Sequence, residues 1–189
     1  IAGGPGAGKT TIALQILFAS ATPARPGLFI TLLGEPSLKM LRYQRLFDFF
    51  QPDRVGADVH FLNLTEEALG GDLDTILAQI AEAVDRLKAG VVVVDSFRSL
   101  TRVPSREPDA SRLDTFVQRL AVYLTTRQVT SFLIGEYHER GLRDPAFTVA
   151  DCILWLSQEA NRNSVVRRLQ VVKARGTAHM PGLHTVRMT

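Results

Sequence analysis

Residues Gly3-Gly4-Pro5-Gly6-Ala7-Gly8-Lys9-Thr10 fill every fixed position of the pattern G-x-x-x-x-G-K-[ST]. A segment of this kind runs from the end of a buried parallel strand into a helix, with backbone N–H groups turned inward on an anion. Glycines at the bends let those groups converge without a Cβ in the way. Lys9 then places an ammonium against the β- and γ-phosphates of a nucleotide, and the Thr10 hydroxyl is positioned for Mg²⁺. Ile12, Ala13, Ile16 and Leu17 continue into an apolar helix whose positive dipole end faces the same anion. The binding set read from the motif is Gly4, Pro5, Gly6, Ala7, Gly8, Lys9, Thr10 and Thr11. It implies a nucleoside triphosphate with Mg²⁺.

Only Ile1-Ala2 precede Gly3, too few residues for a strand. The expectation is therefore a fragment of a longer chain, with the central strand upstream and a sheet centre left open without it. Within 1–189 a single domain is expected, since the length suits one core. The 22% of charged residues and 46% of hydrophobic ones exclude a disordered class. The apolar stretch Ala13–Ala21 is too short for a membrane span. Cys152 is the single cysteine and the histidines number four, so neither a disulfide nor a Cys/His metal site is expected. A reducing, cytoplasmic setting follows as the default.

The net charge of +3 is unevenly spread: from Arg140 to Thr189 there are eight Lys/Arg against three Asp/Glu. A solvated basic face, nucleic-acid binding, or arginines delivered to a neighbouring subunit's triphosphate would each account for it.

Apolar runs and helical stripes alternate through most of the length. Gly27–Leu33 reads as a strand covered on both faces, Leu38–Phe50 as a helix stopped by Pro52, and Val59–Leu64 as a second strand. Asp72–Lys88 has an apolar stripe of Leu73, Ile76, Leu77, Ile80, Ala83, Val84 and Leu87. Gly90–Asp95 is the strongest strand, followed by a loop over Thr101–Ala110, a helix from about Asp109 to Arg127 and the strand Val129–Gly135. After that, Val149–Leu156, Val165–Lys173 and His184–Met188 read as strands joined by turns. The fold class expected is α/β: a mostly parallel sheet flanked by helices, with an antiparallel C-terminal extension.

Asp95 ends the Val91–Val94 strand, where a carboxylate of an α/β sheet can lie beside a phosphate loop and hold Mg²⁺ opposite Thr10. Ser96 and Arg98 follow it, with Ser96 a further candidate for the metal shell. Glu35, between the Phe29–Leu33 strand and the next helix, suits a general base or water-positioner, or a carboxylate stabilised at a helix N-terminus. Glu136 is a secondary candidate to sense the γ-phosphate, or a partner for Arg140. With no N-K-x-D or T-K-x-D segment for guanine, ATP is favoured.

The segment Leu169-Gln170-Val171-Val172-Lys173-Ala174-Arg175-Gly176-Thr177-Ala178-His179-Met180 is more specific than the phosphate loop. Together with Gly3–Thr11, Val91–Ser96 and Val149-Ala150-Asp151 it resembles the KaiC-type circadian-clock ATPases of the RecA superfamily, above all their single-domain relatives. The likeness runs the length of the chain. It implies a RecA-like core, a ring (usually a hexamer), and ATP bound between subunits, with an unidentified regulatory protein as partner. It also implies that Lys173 and Arg175 reach a neighbour's triphosphate, joined by Arg167, and that His179 belongs to the nucleotide site. A cation supplied in trans would neutralise charge in the transition state. Two departures stand out. The family's paired glutamates are reduced to Glu35, and its phosphorylated Ser-Thr pair is replaced by Phe147 and Thr148.

The leading expectation is a slowly hydrolysing, oligomeric ATPase with a regulatory role. The alternatives are a DNA-dependent recombination or repair ATPase, an autokinase acting at Thr148, and a nucleotide-binding scaffold without turnover. Thr101–Ala110 lacks the aromatics and glycines of a single-strand stacking platform, which weighs against the DNA reading.

Overall fold

A computed structural model describes residues 1–32, 42–97, 100, 110–137, 144–161 and 164–188. In chain order the elements are β1 (Ala2–Gly3), α1 (Lys9–Ser20), β2 (Gly27–Thr31), a 3-10 turn (Pro52–Arg54), β3 (Val59–Asn63), α2 (Thr65–Gly70), α3 (Leu73–Leu87) and β4 (Val91–Asp95). They continue with α4 (Ala110–Thr126), β5 (Thr130–Leu133), β6 (Gly135–Glu136), α5 (Pro145–Val149), β7 (Cys152–Asn161), β8 (Ser164–Ala174) and β9 (His184–Val186).

One set of strands runs β3-β2-β4-β5, all parallel, and a second runs β6-β1-β7-β8-β9. In the second set β6, β1 and β7 are parallel, while β8 and β9 are antiparallel, as expected for the C-terminal extension. Ile134 joins the two sets. Its N–H donates to Val94 O (2.9 Å) and its carbonyl accepts from Phe97 N (2.8 Å). On the other side Ile1 N donates to Leu133 O (2.8 Å), and Gly135 N donates to Ile1 O (3.0 Å). The expected Val129–Gly135 strand is thus one line of backbone that pairs with β4 first and β1 afterwards.

The expectation that the residues before the loop cannot form a strand is corrected here. Ala2 pairs with both Gly135 and Trp155, and Gly3 with both Glu136 and Leu156. Neighbours on both sides supply the ladder, so the usual minimum length of a strand does not apply. A cavity of about 350 Å³ lies at the Ile1 end of β1, between Thr130–Leu133 and the first residues of β7, and Leu120 and Leu124 line it.

Covered parallel strands need apolar residues on both faces, and β2 and β4 divide theirs by parity. Leu28, Ile30, Val92 and Val94 face Ile76, Ile80, Val84, Phe116, Val117 and Leu120 of α3 and α4. Phe29, Val91 and Val93 meet Leu14, Leu17 and Phe18 of α1 together with Ile134. At the C-terminus of α1, Arg54 donates to Phe18 O and Ala21 O (2.7 Å each) and pairs with Asp58 at 2.7 Å, placing a cation where the helix dipole is negative.

Helix α3 lies within the expected Asp72–Lys88. Asp72 caps it by accepting from Thr75 N (3.0 Å), and Lys88 ends it in the left-handed region at φ 51°. The Leu38–Phe50 helix is not formed as expected. Residues 38–41 lie outside the described set, helix is found only at 42–44, and turns follow. The aromatic spacing there serves a ring cluster on α1, with Phe50 4.9 Å and Phe49 6.2 Å from Phe18. Val149 ends α5 instead of opening β7, because Asp144 caps a short helix at Pro145 by accepting from Ala146 N at 2.9 Å. Helix α2 has no counterpart in the sequence reading. The Thr101–Ala110 loop falls almost wholly outside the described residues.

Candidate functional site

The phosphate loop crosses from β1 to α1 and is held by strands on either side. Gly3 has φ +144°, and a Cβ built there would lie 2.0 Å from Leu156 O, so the loop leaves the sheet at a point only glycine fits. Gly8, at φ +93°, forms the N-cap of α1 without a side-chain cap. The first-turn N–H groups therefore remain available to an anion. Lys9 is buried, and its Nζ donates to Gly4 O at 2.6 Å, folding the ammonium back across the loop.

Thr10 Oγ1 donates to Asp95 Oδ2 at 2.7 Å, at the end of β4. Two hard oxygens in a half-buried corner beside an anion cradle match the donor set that Mg²⁺ uses when phosphates supply the rest of its shell. Residues Thr10 and Asp95 could therefore hold that ion. Among the described residues no group of three or more His, Cys, Asp or Glu forms an all-protein metal cage.

The electrostatics fit a site completed by ligand charge. Burial raises the Asp95 pKa above the ordinary carboxylate range, opposed by the Thr10 hydrogen bond and by Lys9. Burial lowers the Lys9 pKa, opposed by Glu136 and then Asp95. A cation would relieve the first penalty and a polyphosphate the second. Glu136 lies in β6, opposite Gly3, and acts on Lys9 through space. It is thus built into the sheet beside the loop. Glu35 and Arg98 lie outside the described residues.

The basic candidates divide. Lys173 Nζ donates to Phe147 O (3.0 Å) and Thr148 O (3.4 Å). Arg175 reaches Asp151 Oδ1 (3.2 Å) and Thr148 O (3.4 Å), and its N–H donates to Asp151 O (2.8 Å). Both sit at the junction of α5 and β7. Strands β1 and β7 are parallel, so the phosphate loop emerges at the end where β7 finishes, whereas Lys173 pairs with Ile153 near its start. Lys173 and Arg175 therefore occupy the opposite edge of the sheet from their own loop. Arg167 lies at the loop's edge, paired with Gln158. His179 is exposed in the segment after β8.

Two neighbours of the loop carry no motif. Gln158 Nε2 donates to Pro5 O (3.3 Å) and would lie 3.0 Å from a Cβ on Gly6. The Met188 side chain fills the space above Gly8, its Sδ 2.4 Å from where a Cβ would stand. Only strand register brings these residues to the loop, and a sequence read by local pattern contains no signal for it.

A phosphate loop between a parallel strand and a helix, with a carboxylate at the end of a nearby strand, defines the P-loop class of nucleotide-binding proteins on a RecA-like sheet. The family model described as "ATPase: KaiC" matches residues 1–189, and the chain belongs to the KaiC family of ATPases. A UPF0273 protein of Methanopyrus kandleri is 28% identical over all of this chain and 79% of its own length. The circadian clock protein KaiC2 of Synechocystis is 24% identical over 95% of this chain, and the DNA repair protein RadA of Haemophilus influenzae 30% identical over 85%. Of those two longer proteins the chain spans about a third. A crystal structure of a KaiC-like protein from Pyrococcus horikoshii shares the fold at a TM-score of 0.79, covering 97% of this chain and 82% of that one, at 23% identity.

Proposed function

We propose that the chain is one domain of an oligomeric regulatory ATPase that binds Mg-ATP between subunits and hydrolyses it slowly. The observation that carries this reading is the 2.7 Å contact of Thr10 with Asp95, which unites the loop and the strand-end carboxylate in one corner. In this reading Gly4–Thr11 cradle the phosphates, Lys9 neutralises the β- and γ-oxygens, and Thr10 and Asp95 take Mg²⁺. An ion held by Thr10 and Asp95 would supply positive charge against the charge that develops on the phosphates. Glu35 orients or deprotonates the attacking water. Lys173 and Arg175 come from the neighbouring protomer, which their position on the far edge from their own loop supports, and His179 accompanies them.

Phosphate release by the full-length protein tests the proposal. Turnover that requires Mg²⁺ and is lost in Lys9→Ala and Glu35→Gln supports it, whereas binding without turnover leaves only a scaffold. Mixing Lys9→Ala with Arg175→Ala subunits restores activity if the site is shared, because one interface then has both halves intact.

The RadA relative gives specific support to a second reading, a DNA-dependent repair or recombination ATPase. Salt-dependent retention of single-stranded DNA, with faster hydrolysis, would select it. An autokinase would leave a phosphorylated Thr148 peptide after incubation with Mg-ATP.

A further inference from the structure

Helix α5 is only five residues long, so the carbonyls of Phe147 and Thr148 in its last turn have no partner within it. Two cations of the β8 end meet them instead. Lys173 Nζ donates to both, at 3.0 and 3.4 Å, and Arg175 Nη2 donates to Thr148 O at 3.4 Å. Arg175 Nη1 also donates to Asp151 Oδ1 at 3.2 Å, while its backbone N–H donates to Asp151 O at 2.8 Å. Lys173 opposes Ile153, and the backbone bond of Arg175 to Asp151 continues that ladder. Two residues apart on extended chain, the cations leave the same face and meet the same helix end.

That helix end is itself fixed. Asp144 caps α5, Ala146 is buried, and the Phe147 ring lies 4.7 Å from that of buried Tyr137, whose backbone N–H donates to Gly3 O at 3.0 Å. By contrast, the Arg175 and Asp151 side chains are 60% and 80% exposed. An ion pair so open to water adds little to stability. Its effect falls on geometry. A long side chain with many rotamers is tethered to a rigid support, which removes freedom that would otherwise be lost on meeting a phosphate. A guanidinium has five N–H groups, so contacts with Asp151 and Thr148 leave others for a further acceptor.

We infer that Asp151 is a positioning residue for hydrolysis: together with the end of α5 it presents Arg175 and Lys173, as a preset pair, to the nucleotide of the neighbouring protomer. The inference rests on the proposal of a site shared between subunits. It adds to that site a residue that touches neither nucleotide nor metal and acts through the Arg175 guanidinium.

Steady-state hydrolysis of Mg-ATP by the full-length protein tests it, with light scattering used to match the assembly of parent and variants. Asp151→Ala lowers kcat about tenfold, while KM and the affinity for a fluorescent ATP analogue stay at the parent's values. Asp151→Glu, which keeps the charge, recovers part of the loss. The double variant Asp151→Ala with Arg175→Ala is no slower than Arg175→Ala alone, because the carboxylate has no other route to the reaction. A merely structural role would make the two losses multiply. A parental kcat in Asp151→Ala beside a slow Arg175→Ala overturns the inference and leaves the shared site standing, and multiplied losses in the double variant do the same. A parental kcat in Arg175→Ala defeats the shared site, and the inference with it.

Discussion

Thr10 and Asp95, 85 residues apart in sequence, meet through a 2.7 Å hydrogen bond that ties the first turn of α1 to the end of β4. In Thr10→Ala the hydroxyl is lost while the fold survives, since the bond is one neutral donor at the edge of a large core. The expected outcome is a fall of about tenfold or more in Mg²⁺-dependent nucleotide affinity, with little change in metal-free binding. Calorimetric titration with and without Mg²⁺ distinguishes the two.

Asp95 also makes stability depend on pH. Its pKa is higher in the folded protein than in the unfolded chain, chiefly through burial. Its contribution is therefore fully present below the unfolded carboxylate range and fades as pH rises through the raised folded value. Metal-free protein should lose thermal stability on going from mildly acid to alkaline pH, and Asp95→Asn should flatten that slope while abolishing stabilisation by Mg-nucleotide. A melting series across pH that is identical for parent and variant would contradict this.

Lys9 behaves in the opposite sense, because burial lowers its pKa and the charged form weighs against the fold until a polyanion arrives. Lys9→Met should leave the empty protein as stable as the parent or slightly more so, yet cut ATP affinity by about 10–100-fold. Thermal shift with and without ATP reads both effects.

Arg54 is expected to matter for the fold and not for the site. It bonds two carbonyls at the end of α1 and the buried Asp58 at once. Arg54→Ala should cost about 1–3 kcal/mol by stranding these acceptors. Phe29→Ala, in the core behind the loop, should cost about 3–5 kcal/mol. Urea unfolding gives both values, and the Arg54 variant should keep the parent's nucleotide affinity once folded.

What could be read from sequence was what is local. The run Val91–Val94 announces a strand buried on both faces, and Asp72 with the stripe up to Leu87 announces α3, because apolar period and capping act over a few residues. The loop motif names its own cradle, and the Asp after a valine run names the strand end beside it. Residues 47–50 misled because an aromatic cluster in turns imitates helical spacing. The nearness of Glu136 to Lys9 has no local signal, because it depends on β6 pairing with β1. Gln158 and Met188 have no local signal for the same reason.

Ile134 gives the sheet its alignment. Its own amide and carbonyl engage the β4 side, while Leu133 and Gly135 on either side of it engage Ile1. The offset between Asp95 and the phosphate loop is therefore gauged along one short stretch of backbone. A slip of one residue there would displace the carboxylate by about 3.3 Å, more than the length of its bond to Thr10. The proposed Mg²⁺ site draws on two separate segments, and this position is the ruler that spaces them.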